Sequence, residues 1–221
     1  MDLQPRVFVV DDEGISLRAV ERLLRSHGYQ VSVFSSPKAF LEELPYPGPA
    51  CLVLDMTMPE LTGLEVQKSM AVQAMALPTV FLSGTSDVRG TAEAMRKGAV
   101  DFLVKPVDDV ALLESVSRAL AAAVESCRRR HEADEDNQRL ARLTKREREV
   151  CDLIAKGLLN KQIAGELGIS EKTIKVHRAR VMQKLDVDSV AALVWLLSRL
   201  PKSGAPTTPG PADKISSTDL G

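Results

Sequence analysis

Five side chains could do chemistry together: the adjacent carboxylates Asp11 and Asp12, a third at Asp55, the hydroxyl of Ser83 and the amine of Lys105. Taken singly, each has an ordinary reading. An acidic pair after an apolar run is a solvated helix start, Asp55 a helix cap, Ser83 a turn residue and Lys105 a surface charge. Taken together they are harder to dismiss. Three clustered carboxylates repel one another unless a cation sits among them. A few hard oxygen ligands suit Mg2+, which keeps waters and shares a phosphate. A lysine opposite would offer a point charge to an oxyanion, and a nearby hydroxyl could donate to a phosphoryl oxygen. The chemistry this implies is attack by the Asp55 carboxylate on a phosphoryl donor, giving an aspartyl phosphate.

These residues act together only if the chain brings them to one place. Cys51-Leu-Val-Leu54 is an apolar run without alternation, as in a strand buried on both faces of a parallel sheet, and it stops at Asp55. Pro59 and Gly63 then force a loop. Val7–Val10 is a second such run, ending in Asp11-Asp12-Glu13. Val31 with Val33, Thr79–Leu82 and Asp101–Val104 supply three more strands. Helices are expected between them. One carries Ile15, Ala19, Leu23 and Leu24 as far as Gly28, and Pro37 opens the next, with Phe40, Leu41 and Leu44. A third starts near Leu64, a fourth carries Ala92 and Met95 up to Gly98, and a fifth starts near Asp108. Strands alternating with helices in this way make a flavodoxin-like, doubly wound α/β domain with a five-stranded parallel sheet. In the strand order 2-1-3-4-5 the first and third strands are neighbours, about 4.8 Å apart. Asp11, Asp12 and Asp55 then converge on one sheet edge, where Ser83 and Lys105 also emerge.

The near-zero net charge of −1 hides an asymmetry. Residues 1–126 hold 11 Lys+Arg against 17 Asp+Glu, a balance of −6, while residues 139–200 hold 13 against 7, a balance of +6. The two halves are therefore expected to have different partners, with nucleic acid leading for the basic one. The three cysteines, Cys51, Cys127 and Cys151, have no metal or redox spacing and read as reduced thiols. There is no basic start followed by an apolar core at the amino terminus, and no apolar run of membrane-spanning length. The expectation is a cytoplasmic protein with no membrane partner.

Residues 6–121 resemble the receiver domain of two-component response regulators. Asp11 and Asp12 match the acidic pocket, Asp55 the phosphoacceptor, Ser83 the hydroxyl, Phe102 the aromatic switch, and Lys105-Pro106 the lysine with its following proline. The separations of 28 residues from Asp55 to Ser83 and 50 to Lys105 are typical of receivers. The resemblance implies Mg2+ held at Asp11, Asp12, Asp55 and Thr57, and a cis bond between Lys105 and Pro106. Ser replaces the commoner Thr at 83. Phe replaces Tyr at 102, so that switch would have to be driven by packing without a phenolic hydrogen bond.

From Asp108 a helical pattern (Val110, Leu113, Val116, Leu120, Val124) runs on without a Gly or Pro stop. Residues 122–138, with Arg128-Arg-Arg130 followed by Glu132, Asp134, Glu135 and Asp136, read as a solvated helical linker with local charge pairing. Thr144-Lys-Arg-Glu147 is a capping box opening a helix with Val150, Leu153 and Ile154. Asn160 is expected to cap a short helix holding Ile163, Ala164 and Leu167. Ser170 caps a longer one with Ile174, Val181 and Leu185 inward, and Ser189 starts the last, with Leu193, Leu196 and Leu197. Two helices joined by the tight Leu167-Gly-Ile-Ser170 turn make a helix-turn-helix. Lys172, Lys175, Val176 and Ala179 share one face of its second helix, spaced i, i+3, i+4, i+7. Val176 and Ala179 suit thymine methyls and Lys175 base acceptors or phosphate. Lys161, Lys172, Thr173 and His177 suit backbone positioning.

The string Leu-Thr-Lys-Arg-Glu-Arg-Glu-Val, then Gly157, Asn160-Lys161, Ile163-Ala164, Gly168-Ile-Ser and Thr173-Ile-Lys-Val-His-Arg, makes residues 139–200 resemble the LuxR-type four-helix DNA-binding domain. The whole is similar to NarL/FixJ-class response regulators, with only the Pro-, Gly-, Ser- and Thr-rich tail 201–221 outside the likeness, expected to be disordered. That class implies a transcription factor, not an enzyme beyond its own phosphorylation and slow dephosphorylation. A sensor histidine kinase would phosphorylate Asp55. Phosphorylation would promote homodimerisation through the face around the fourth helix, fifth strand and fifth helix, and binding to double-stranded promoter DNA, with RNA polymerase a further partner. A phosphoaspartate-forming hydrolase is the rival from another class. Such enzymes usually carry a second Asp two residues on, where this chain has Thr57.

Overall fold

The structure, a computed structural model, describes residues 4–72, 75–84 and 88–199. Leu200 and the 201–221 tail, with its expected disorder, lie outside them. Contacts divide the chain into two units, Met1–His131 and Glu132–Gly221.

In the first unit β1 (Arg6–Val10), β2 (Gln30–Phe34), β3 (Ala50–Asp55), β4 (Thr79–Ser83) and β5 (Asp101–Val104) form one parallel sheet in the order β2-β1-β3-β4-β5. Between them run α1 (Gly14–Ser26), α2 (Pro37–Glu42), α3 (Gly63–Val72) and α4 (Val88–Arg96), and α5 (Asp109–Ala141) follows β5. The unbroken apolar runs serve two cores at once. Val7, Val9, Cys51, Val53, Val80 and Leu82 pack on one face with Leu17, Val20 and Leu24 of α1 and Leu112 and Val116 of α5. Phe8, Val10, Leu52, Leu54 and Phe81 pack on the other with Phe40, Val66, Met70 and Ala94 of α2, α3 and α4. Side chains alternate across a strand, so a strand between two helical layers has no polar face to spare.

The helix faces differ in part from the sequence reading. Ile15 (73% exposed) and Ala19 point outward on α1, whose buried stripe is Leu17, Val20 and Leu24. On α4 Ala94 is buried while Ala92 and Met95 are exposed, and on α5 Val110 and Val124 are exposed while Leu112, Val116, Ala119 and Leu120 are buried. Apolar type alone does not fix the inward direction, because much of a folded surface is itself apolar.

Residues 122–138 fall within α5 and carry local charge pairs. Arg128 and Arg129 both bond Glu125, one turn upstream. Asp136 pairs with Arg139, one turn on, at 3.7 Å and with Arg199 of the last helix at 2.6 Å.

The second unit contains α6 (Lys145–Ala155), α7 (Asn160–Leu167), α8 (Glu171–Leu185) and α9 (Val190–Arg199) around Val150, Ile154, Ile163, Ile174, Val181, Leu185 and Leu193. Thr144 and Glu147 form the expected capping box, Ser170 Oγ accepts from Thr173 N–H, and Ser189 Oγ from Ala192 N–H. Asn160 does not cap α7. Leu159 holds that position, and having no acceptor of its own it relies on Gln162, whose Oε1 takes the Leu159 N–H at 2.8 Å. The Asn160 amide oxygen is engaged elsewhere, accepting from Arg178 at 3.2 Å. All three cysteines are free thiols. Burial pushes Cys51 up to about 12 and Cys151 up to about 11, so neither offers a reactive thiolate near neutrality. Among the described residues no helix is long and apolar enough to cross a membrane.

Candidate functional site

Parallel pairing puts the carboxyl ends of β1, β3, β4 and β5 on one edge. Asp11 follows β1, Asp55 and Ser83 end β3 and β4, and Lys105 follows β5. The Lys105 N–H donates to the Ser83 carbonyl at 2.7 Å and ties the last two strand ends together. The Lys105–Pro106 bond is cis, as expected; Leu44–Pro45, for which no expectation existed, is cis too.

One oxygen each from Asp11, Asp12 and Asp55 lies within 4.8 Å of the others, with Asp11 and Asp55 buried and Asp12 exposed. Lys105 Nζ reaches into this group. It donates to Asp11 Oδ2 at 2.8 Å and to Asp55 Oδ2 at 3.1 Å, with Glu13 Oε2 3.9 Å away. Asp55 Oδ1 accepts the Thr57 N–H at 3.3 Å. Burial pushes Asp55 above the usual carboxylate range, and the hydrogen bond and charge of Lys105 only partly offset it. Burial also acts against the Lys105 ammonium, but its bonds to Asp11 and Asp55 outweigh that and raise it. The two directions agree physically, since one ammonium enjoys two carboxylates while Asp55 must share it with Asp11.

The donor set fits Mg2+. All three groups are hard oxygens, a cationic nitrogen already bridges two of them, and the exposed Asp12 leaves one side open to water. Two direct ligands about 2.1 Å from one ion lie no more than about 4.2 Å apart, so a spread of up to 4.8 Å leaves room for water between the ion and one of the carboxylates, as Mg2+ commonly keeps.

Gly63 is required here by space rather than by loop conformation. A Cβ on it would lie 2.7 Å from the Asp55 carbonyl oxygen and 2.9 Å from the Phe81 ring, and its N–H bonds the Met56 carbonyl at 3.0 Å. Ser83 is buried, and Phe102, half-buried and in register with Phe81, packs on the side of the sheet covered by α2, α3 and α4. Two neighbours carried no sequence signal. Ser16 Oγ donates to Asp11 Oδ2 at 2.7 Å, and the Glu13 N–H donates to Asp11 Oδ1 at 2.8 Å.

In the second unit α8 divides cleanly. Ile174, Val181 and Leu185 are buried, while Lys172, Thr173, Lys175, Val176 and Ala179 are exposed. Val176 is 46% exposed, an apolar residue held out among lysines. Lys161 is exposed on α7. His177 is half-buried with Nδ1 turned inward and without a hydrogen-bond partner. The Arg178–Asn160 bond clips α8 to the start of α7 and was not legible beforehand.

Fold and site together define a flavodoxin-like receiver followed by a helix-turn-helix domain. Residues 7–117 match the response regulator receiver domain, and residues 141–197 match the luxR family of bacterial regulatory proteins. The response regulator protein TmoT of Ectopseudomonas mendocina is 39% identical over 202 residues, covering 91% of this chain and 92% of that protein. The transcriptional regulatory protein FixJ of Bradyrhizobium diazoefficiens is 38% identical over 199 residues, 90% of this chain and 97% of FixJ. The solved structure of the response regulator StyR superposes with a TM-score of 0.79 at 42% identity, covering 89% of this chain and all of that one. The chain belongs to the response regulators that join a receiver domain to a LuxR-family DNA-binding domain, which are transcription regulators rather than classical enzymes.

Proposed function

We propose that this chain is a phosphorylation-controlled, promoter-binding regulator of a two-component system, acting in the cytoplasm with Asp55 as phosphoacceptor and a sensor histidine kinase as donor. The observation that carries the reading is Lys105 Nζ bridging the buried carboxylates of Asp11 and Asp55 at one sheet edge. An Asp55 oxygen attacks phosphorus, the donor's P–O or P–N bond breaks, and the leaving group takes its electron pair. Asp11, Asp12, Asp55 and Thr57 would hold Mg2+, which supplies charge neutralisation at the phosphoryl oxygens when bound. Lys105, whose ammonium already serves two acceptors, turns to a phosphoryl oxygen, and Ser83 donates to another. Phe102 carries the change outward by repacking. Dimerisation then presents two copies of the α8 face to DNA half-sites. Lys175, Val176 and Ala179 meet base edges, while Lys161, Lys172, Thr173 and His177 position on phosphates. RNA polymerase is the downstream partner.

Domain limits of 6–121, 122–138 and 139–200 suit this division of labour. The test is incubation of the full chain with acetyl phosphate and Mg2+, read by intact mass. One added phosphoryl group on the native chain and none on Asp55→Asn is the expected result. Equal labelling of both would place the acceptor elsewhere.

A further inference from the structure

We propose that Ser16 is a positioning residue for the cation site, keeping Asp11 oriented when Lys105 leaves it; this rests on the phosphoacceptor reading above. Asp11 is 1% exposed, so its lone pairs must be satisfied within the protein. Oδ1 accepts the Glu13 N–H. Oδ2 accepts both Ser16 Oγ, at 2.7 Å, and Lys105 Nζ, at 2.8 Å. A carboxylate has about four acceptor positions, so one remains while these three donors are in place.

The two donors on Oδ2 differ in freedom. Lys105 is shared with Asp55 and is the group that a phosphoryl oxygen would attract. Ser16 sits in the first turn of α1, fixed by the helix backbone, and nothing in the reaction calls it away. With Ser16 in place, departure of Lys105 leaves Oδ2 still held and opens one acceptor position toward the site. Without it, Lys105 is the last side-chain donor on a buried carboxylate. The lysine is then held more tightly, and a cation must displace it against a larger penalty. The sign follows: removing the Ser16 hydroxyl weakens cation binding, even though it removes a competitor for the same oxygen.

The test uses the full chain and Mn2+ electron paramagnetic resonance, with Mg2+ as competitor, on native protein, Ser16→Ala and Ser16→Thr. Urea unfolding is run on each. Ser16→Ala is expected to bind Mg2+ roughly three- to tenfold more weakly, the part of a charge-assisted hydrogen bond that survives competition with water. Ser16→Thr is expected to restore binding to within about twofold, because it keeps the hydroxyl. Native-like affinity in Ser16→Ala overturns the proposal alone. So does a Thr variant that folds stably yet binds like the Ala variant. A native chain that binds no Mg2+ overturns the proposal and the phosphoacceptor reading together.

Discussion

The Lys105 ammonium sits between the buried carboxylates of Asp11 and Asp55, at 2.8 Å and 3.1 Å, where a bound Mg2+ would have to displace it. The geometry therefore sets two effects of Lys105→Met against each other. Mg2+ affinity should rise, since an internal cation has gone and like carboxylates are left facing one another. Phosphorylation by acetyl phosphate should slow by about a hundredfold or more, as when a transition-state donor is removed. Metal titration and single-turnover labelling on the same sample check both; weaker metal binding in the variant would contradict the assignment of Lys105 as competitor. The meeting of Asp11, Asp12, Asp55 and Lys105 was legible because their types and strand-end positions are unusual together. Ser16 and Glu13 were not, because a hydroxyl and a backbone N–H on the first turn of a helix look like any other until the carboxylate they hold is placed.

At the scale of elements, the strands announced themselves because a strand buried on both faces must be apolar throughout. Helix faces were less legible. Ile15, Met95 and Val110 are apolar but face away from the sheet, and only the observed direction of each helix separates them from Leu17, Ala94 and Leu112. Caps behaved better, since their geometry is local; Asn160 failed because Arg178 of α8 competes for its amide. Two predictions belong here. Glu147 bonds Lys184 at 2.6 Å and closes the Thr144 cap, and these hold its carboxyl down to about 2 from an ordinary 4.5. A depressed carboxyl stabilises the fold fully above its unfolded value. Stability of the second unit should therefore be flat above pH 4.5 and decline as pH falls from there toward 2, a decline that Glu147→Gln lacks, as read by urea midpoints against pH. On α8, Ile174→Ala should cost about 2–5 kcal/mol of stability. Lys175→Ala should leave stability alone and cost about 1–3 kcal/mol of DNA binding. Unfolding curves and DNA titrations on both variants separate the buried face from the exposed one.

For the whole molecule, the opposite charge balances of the two halves suit the two kinds of partner proposed, a divalent cation at the carboxylates of the acidic half and DNA for the basic half. The family relationship extends over both, with relatives such as TmoT and FixJ aligned across about nine-tenths of the chain. On the proposed reading, what joins the halves functionally would be a shift in populations, whose size would depend on how differently the phosphorylated and unphosphorylated states bind DNA and each other. The most direct test is dimerisation and promoter-DNA affinity of the native chain and Asp55→Asn, each with and without acetyl phosphate plus Mg2+. The account predicts dimerisation and a roughly ten- to hundredfold gain in affinity for the phosphorylated native chain, and neither for the variant. Equal DNA affinity for both proteins under every condition would contradict it and leave the receiver without a switching role.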